Sequence, residues 1–378
     1  MKQLYYLVLF ILLSCSSKDW VNHTTSHDSK HVQPIDSLTL KSSGELKFKL
    51  NNSSNANSNS IQVYPKDQPE FLLYHFPVSN EIALYNLKSR EQSHSITYDR
   101  EGPDGVGDDI RAFYFHSFDS IFLFSLLKQR LFLIDSTGNL INQYDLFNDE
   151  LYVQMGTTYP SMLKENTLYF SAYPSPLKEV SSNRFTSIKL NLETGEMEAF
   201  FHLTSEYDRG DWGKHNYLRI HQTFNTNQDL IIYSFPNDHN LYFLDSEGII
   251  KKHFAGADKI NMLKPLKGNR SDDEVFRHTA GQGFYSGIYH DPWRKMYYRI
   301  AFNPVSDYEH PSDMGKNPSI ILLDQSFRKV GEYALPKNTY LTGAHFISPE
   351  GLYFFNRYAY ENIDDNYLTF TKYTVNDK

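Results

Sequence analysis

The sequence predicts an all-β protein: a single six-bladed β-propeller with four-stranded blades, its ring closed by an N-terminal strand. Three observations predict it: an aromatic-rich composition, a hairpin unit recurring about every 50 residues, and a spare strand near the start matched by a vacancy at the end. The 378 residues are 40% hydrophobic and 15% aromatic, with 28 Tyr and 27 Phe. A chain of this kind buries enough apolar surface to offset ordering entropy, so disorder is excluded for most of it. Tyr and Phe also favour strands. Asp and Glu total 45 against 37 Lys and Arg, for a net charge of -8. With no basic run, a nucleic-acid partner is not expected.

The first element is an apolar run from Leu4 to Leu13, preceded by Lys2. It is too short to span a bilayer, which takes ~20 residues, but it suits the core of an export signal. The residues Leu12-Leu13-Ser14-Cys15 resemble a bacterial lipobox. That resemblance implies a signal peptide over 1–14, cleavage before Cys15, and lipid attachment at Cys15, the only cysteine of the chain. One acyl chain anchors marginally, and lipoprotein modification supplies more than one. The alternative is a plain secretory signal with Cys15 unmodified. Residues 15–37 then form a lipid-anchored flexible tether, polar and without periodicity. Its His23, His27 and His31 are four apart, but Ser, Thr and Asn around them disfavour the helix that would group them on a metal.

The propeller is expected over 38–378. Its unit is a short apolar run ending in Asp or Asn, a turn, and a more polar strand. The markers are Asn86, Asp135, Asn191, Asp245, Asp324 and Asn376. Blade one reads as strands at 61–64, 71–76, 82–85 and 92–98. Further inner pairs read at 109–118 with 120–127, 217–224 with 229–235, and 341–348 with 351–358. The sixth unit ends at its third strand, so its outer position is vacant, and Glu45 to Leu50 alternates in period two and can fill it. Two unrelated sandwiches remain the alternative architecture.

The segment Arg100-Glu101-Gly102-Pro103-Asp104-Gly105 leading into Phe113, together with the lipobox and the period, resembles the six-bladed propeller lipoproteins of Bacteroidetes. Many of these carry a Gly-x-Gly-Pro-Gly-Glu-Phe turn between blades. Here Asp104 replaces the glycine after the proline and the Glu-Phe ending is missing. The resemblance runs from about 45 to 376 and leads to a subgroup described only as a domain of unknown function. It implies a fold and brings no activity.

Labelling the strands of each blade a to d from the axis outward, the a–b and c–d turns are short. Every long connection (51–60, 99–109, 145–156, 174–184, 204–216, 255–282, 303–317, 359–366) falls on the d–a/b–c face. Long connections in a compact domain carry function or are disordered, so recognition is expected on that face. Candidate ligand-binding residues there are Asp208, Arg209, Asp211, Trp212 and His215, then Arg277 and His278, then Tyr308 and His310. They combine aromatic platforms, Arg forks and carboxylates, the equipment of a glycan or peptide site. Loop carboxylates could also form an acid–base pair. Asp104, Asp108 and Asp109, and Asp364 with Asp365, lack the ligand ladder of a dedicated calcium loop. His116, His221, His290 and His345 fall on inner strands at unequal offsets, which suits channel histidines better than a metal ring. No Ser-x-Asp-x-Gly-x-Thr-Trp box, Gly-x-Ser-x-Gly elbow or phosphate-cradling glycine loop is present.

The expected function is a binding or scaffolding module of the cell envelope, held at the outer membrane by its lipid. A glycan or envelope protein is the expected partner class, with no catalytic residue, cofactor or resident metal assigned. The alternative is an enzyme acting on sugars or lactones, using carboxylates or a loop metal at the channel mouth.

Overall fold

A propeller blade needs strands that are apolar on both faces near its middle and amphipathic at its rim, because neighbouring blades cover the middle while solvent reaches the rim. The chain supplies both kinds. The computed structural model describes residues 36–50, 58, 60–175, 180–213, 215–261, 263–268, 271–306, 317–356 and 366–378. They form six antiparallel sheets.

The first strand, β1 (Leu38–Lys49), belongs to the last sheet. Blade one is β2 (Ile61–Tyr64), β3 (Phe71–Phe76), β4 (Glu81–Asn86) and β5 (Gln92–Thr97). Blade two is β6 (Ile110–Ser117), β7 (Ser120–Ser125), β8 (Arg130–Ile134) and β9 (Leu140–Asp145). In blade three the inner strand is broken into β10 (Leu151–Gln154) and β11 (Met162–Lys164), which both pair with β12 (Thr167–Pro174); β13 (Phe185–Asn191) and β14 (Met197–His202) follow. Blade four is β15 (His221–Asn225), β16 (Leu230–Ser234), β17 (Asn240–Leu244) and β18 (Ile250–Phe254). Blade five is β19 (Phe284–Asp291), β20 (Met296–Phe302), β21 (Pro318–Asp324) and β22 (Lys329–Ala334). Blade six runs β23 (Tyr340–Ser348), β24 (Gly351–Asn356), β25 (Tyr367–Asp377), with β1 as its outer strand. The expected six-bladed propeller, closed by an N-terminal strand, is therefore the observed fold.

The recurring Asp or Asn has a direct cause. In five blades its side chain accepts backbone N–H groups of the turn that follows: Lys88 and Ser89 on Asn86, Thr137 and Asn139 on Asp135, Glu193 and Thr194 on Asn191, Glu247 and Ile249 on Asp245, Ser326 and Arg328 on Asp324. These are Asx turns, which short polar side chains form because they can cap their own backbone. Asn376 lies in β25 with no turn after it, and its amide donates to Thr374.

Ring closure is extensive. β1 pairs with β25 from Leu38 opposite Asp377 to Lys49 opposite Tyr367, and buries Leu40 and Phe48. It also lies against blade five, where Ser37 N–H donates to the Val330 carbonyl. A Cβ on Gly331 would stand 2.1 Å from the Leu38 carbonyl oxygen, so only glycine permits that approach.

Several boundaries differ from expectation. Blade four's inner strand starts at His221, not 217: Tyr217 turns away in a short 3-10 segment, fully buried, with its hydroxyl donating to the Gly283 carbonyl. The connection expected over 145–156 contains β10. That expected over 255–282 ends in a helix, α1 (Asp272–Gln282), started by a capping box in which Ser271 and Glu274 satisfy each other's backbone N–H.

Blades four and five are joined by a buried cation. Arg299 on β20 is 0% exposed and lies 3.7 Å over the Tyr285 ring. Its guanidinium donates to the carbonyls of Phe235, Asp238, His239 and Ala255 and to Ser234 Oγ. Burial lowers its pKa to about 10, opposed by Tyr285 and Asp238, so it stays charged at neutral pH. Arg299→Leu removes the charge-assisted hydrogen bonds to these buried acceptors, of which the His239 and Phe235 carbonyls keep a backbone donor, at an expected cost of about 3–5 kcal/mol. The melting temperature is then expected to fall by roughly 6–15 °C. Arg299→Lys should not restore it, since an ammonium cannot reproduce the planar fork. An unchanged melting temperature in Arg299→Leu would show that the clamp carries no net stability.

Candidate functional site

The broken inner strand of blade three positions the site. Between β10 and β11 the chain Met155-Gly156-Thr157-Thr158-Tyr159-Pro160-Ser161 leaves its sheet, folded on itself by paired backbone hydrogen bonds between Gly156 and Tyr159. It then crosses the axis. Thr157 Oγ1 accepts from Ile61 N at 2.7 Å and donates to Ile61 O at 3.3 Å, on blade one. The Thr158 and Pro160 carbonyls accept from His221 and Gln222 on blade four. A Cβ on Gly343, in blade six, would meet Thr158 Cγ2 at 3.4 Å. A segment of blade three thus touches three other blades and plugs the channel. Gly and Pro inside an inner strand were the sequence signal for this departure, because both interrupt a strand ladder.

Above the plug, on the d–a/b–c face, lies a cavity of about 460 Å3. Arg111, Tyr159, Arg219, His221 and Ser286 line it, with Leu126 at one wall. The strands bend to make it. β6 carries a bulge at Arg111, β19 one between Tyr285 and Ile288, and β23 one between Leu341 and His345, all at the same end of the inner strands. Bulges re-aim side chains and recur beside binding sites.

Its floor is neutral and fixed. Tyr159 stacks on His221 with ring centroids 4.9 Å apart and planes at 14°. His221 Nδ1 lies 3.4 Å from the Thr158 carbonyl and Nε2 3.5 Å from Ser286 Oγ, so the ring donates to the first and accepts from the second. Burial drives the His221 pKa down to about 4, partly opposed by the bond to Thr158 and reinforced by Arg219 and Arg299. Burial likewise raises the Tyr159 pKa to about 12.

Its walls are cationic. Arg219 stands between buried Leu218 and Ile220, and Arg111 between buried Ile110 and Ala112, so both exposed side chains rise from fixed backbone. Arg111 Nε lies 3.4 Å from Asp109 Oδ1. Asp109 is itself buried and held by Ser125 Oγ and Leu127 N–H. Among the described residues no Asp or Glu lines the cavity, and Arg219 has no ion-pair partner.

Of the residues singled out by sequence, those of the 208–215 and 277–278 segments are described, and none of them lines this cavity. The structure brings two of their clusters together: Arg209 donates to the Leu263 carbonyl, and Leu266 N–H to that of Asp211. Their side chains are largely occupied internally. Trp212 is 2% exposed, packs on Tyr217, and donates its indole N–H to the Glu206 carbonyl, so its ring is no open platform. Arg209 pairs with Glu206. Asp208 accepts from Ser182 N–H, tying its segment to the connection 26 residues earlier, and Asp211 accepts from Gly213 N–H, turning the chain locally. Arg277 pairs with Asp273 along α1, and His278 Nε2 donates to the Lys264 carbonyl. The backbone of His215 opens the 3-10 turn that ends before Arg219. Cys15, Tyr308, His310, Asp364 and Asp365 lie outside the described residues.

Asp104 accepts from Leu140 N–H, and no group of three His, Cys, Asp or Glu among the described residues is placed to hold a metal. His116, His221, His290 and His345 do occupy inner strands, but His221 and His345 are buried, not washed by a channel. Arg111, Arg219 and the plug were not singled out by sequence. For the two arginines the only signal is a single basic residue at or just before a strand start.

A family model described as Domain of unknown function (DUF4221) matches residues 37–334. A solved structure of a DUF4221 family member from Bacteroides vulgatus ATCC 8482 is similar, with 20% identity and a TM-score of 0.77 over 91% of this chain and 100% of the other. A protein from Bacteroides fragilis NCTC 9343, described as exported, is similar at 11% identity and a TM-score of 0.53, over 90% and 95% of the two chains. At these identities the likeness is one of fold. No curated protein matches the sequence. No described helix is long and apolar enough to cross a membrane.

Proposed function

The chain belongs to the DUF4221 family of β-propellers, and from that footing we propose that it is an exported binding module, lipid-anchored through Cys15, which captures its ligand in the plugged channel mouth. The observation that carries this reading is the plug. An open propeller axis is a passage, whereas residues 155–161 turn it into a blind pocket on the loop-rich face. A volume of about 460 Å3 falls within the range of small-ligand sites. An acid–base enzyme would require two carboxylates facing one another across such a pocket. The described lining offers none, and both nitrogens of its histidine are engaged, which favours binding. The segment carrying Asp208, Arg209, Asp211 and Trp212, braced against the 263–278 region, serves in this reading to hold Arg219 at the rim.

Filling the pocket tests it. On a glycan array the protein is expected to bind a discrete set of glycans, and Ser286→Tyr, which occupies the cavity from a half-buried position, is expected to lose at least about 90% of that signal. Binding retained in Ser286→Tyr with an unchanged melting temperature would place recognition elsewhere. For the anchor, labelled palmitate should mark the protein in its own host and fail to mark Cys15→Ser.

A further inference from the structure

We propose that the channel-mouth pocket is an oxyanion site, in which the guanidinium groups of Arg111 and Arg219 grip a carboxylate or phosphate carried by the ligand. The inference rests on the binding reading above and adds the chemical class of the ligand. Three independent features carry it.

The first is sign. The chain carries a net charge of -8, yet the described lining of the mouth contains two arginines and no carboxylate. In a protein with an acidic excess, a concave site of opposite sign concentrates anions against the general field.

The second is construction. Arg111 sits at a bulge, and the Arg219 backbone is held by two buried neighbours. A side chain kept for solubility needs neither. Arg219 has no ion-pair partner among the described residues, and the buried Asp109 meets Arg111 at Nε, leaving the terminal nitrogens for a ligand. A guanidinium donates two parallel N–H groups and matches the spacing of a carboxylate or phosphate.

The third is the floor. His221 remains neutral because burial and the nearby Arg219 and Arg299 oppose a further positive charge. Charge recognition therefore falls to the rim, while the stacked Tyr159–His221 pair and Leu126 offer flat, weakly polar surface for the body of the ligand. The ligand class is a small organic acid or phosphate ester with a ring or short chain behind the charged group, such as an acidic sugar.

Isothermal titration of the full mature chain with trigalacturonate, trigalacturonate methyl ester and glucose 6-phosphate tests this. At least one charged probe is expected to bind at least about tenfold more tightly than the ester. Preference for trigalacturonate assigns a carboxylate, and preference for glucose 6-phosphate a phosphate. Arg219→Gln, exposed and without an ion-pair partner among the described residues, is expected to fold, and Arg111→Gln also removes the partner of buried Asp109 and is read beside its melting temperature; each should weaken the charged probe about tenfold and flatten its salt dependence. Equal affinity for acid and ester, unchanged affinity in Arg219→Gln, or no charged probe binding up to about 10 mM overturns the proposal. Array ligands that are neutral and lost in Ser286→Tyr leave the binding module standing and overturn only the oxyanion assignment. Charged-probe binding lost in Arg219→Gln beside an empty array supports the oxyanion site and places the ligand among acids that the array does not carry.

Discussion

Deletion of residues 36–50 is expected to abolish the cooperative unfolding transition of the propeller. The segment contributes a whole strand. β1 occupies the outer position of blade six along the full length of β25, and its Leu40 and Phe48, with Leu50 just beyond, are 2%, 0% and 6% exposed. Burying three such side chains stabilises the fold by about 5–9 kcal/mol, a large part of the total for a protein of marginal stability. The loss is compounded at β25, whose backbone groups would face water along an open edge that invites association with other chains. Calorimetry should show a broad, scan-dependent transition, and light scattering should show aggregation. A milder variant keeps the prediction measurable if the deletion does not express. Phe48→Ala leaves the strand but removes the ring packed between Tyr85 and Phe370, at an expected cost of about 3–5 kcal/mol. A deletion variant with the parental melting temperature would mean that blade six holds without its fourth strand.

Such a closure is legible in sequence because it rests on periodicity and counting. Six Asp or Asn markers report six third strands, and five of them report Asx turns whose chemistry needs that residue type. The face that carries the pocket also followed from loop length. The site itself did not, and particular residues show why. Trp212, Arg209 and Asp208 have the composition of a ligand platform, but composition cannot say whether an indole N–H meets a ligand or the Glu206 carbonyl six residues away. The plug depends on contacts separated by 96 residues in one direction and 63 in the other, which no local pattern encodes. Arg111 and Arg219 are ordinary arginines until a bulge and two buried neighbours aim them at the same cavity. The helix α1 was readable, since Ser271 and Glu274 spell a capping box, but the polar run around them suggested a loop. Arg299 gives no local signal, because its partners are main-chain carbonyls of another blade.

Acidification should destabilise the protein steeply between pH 6.5 and about 4, with buried histidines as a principal cause. His75 and His345 are held neutral with pKa values lowered to about 3, and His221 to about 4, in each case chiefly by burial. The groups around them add no compensating negative charge. His75 Nε2 meets the Tyr98 hydroxyl at 2.7 Å and feels Arg111; His221 faces Thr158, Ser286, Arg219 and Arg299; His345 lies against the Tyr289 ring at 3.6 Å. The sign follows from comparing the two states. An unfolded histidine takes up its proton near pH 6.5, whereas the folded one resists until pH 3 or 4, so in this window the unfolded chain binds more protons and gains stability as pH falls. Each site then contributes about 1.4 kcal/mol per pH unit, or about 4 kcal/mol per unit for the three, with little effect above pH 6.5. His116, His239, His278 and His290, also lowered by burial, act in the same direction. Urea unfolding at pH 7, 6, 5 and 4.5 measures the slope. His345→Phe, and His75→Leu paired with Tyr98→Phe to avoid stranding the hydroxyl, should each reduce it by about 1.4 kcal/mol per pH unit while leaving its sign. If both variants keep the parental slope, those imidazoles are already protonated in the folded chain, and the acid sensitivity belongs to other groups.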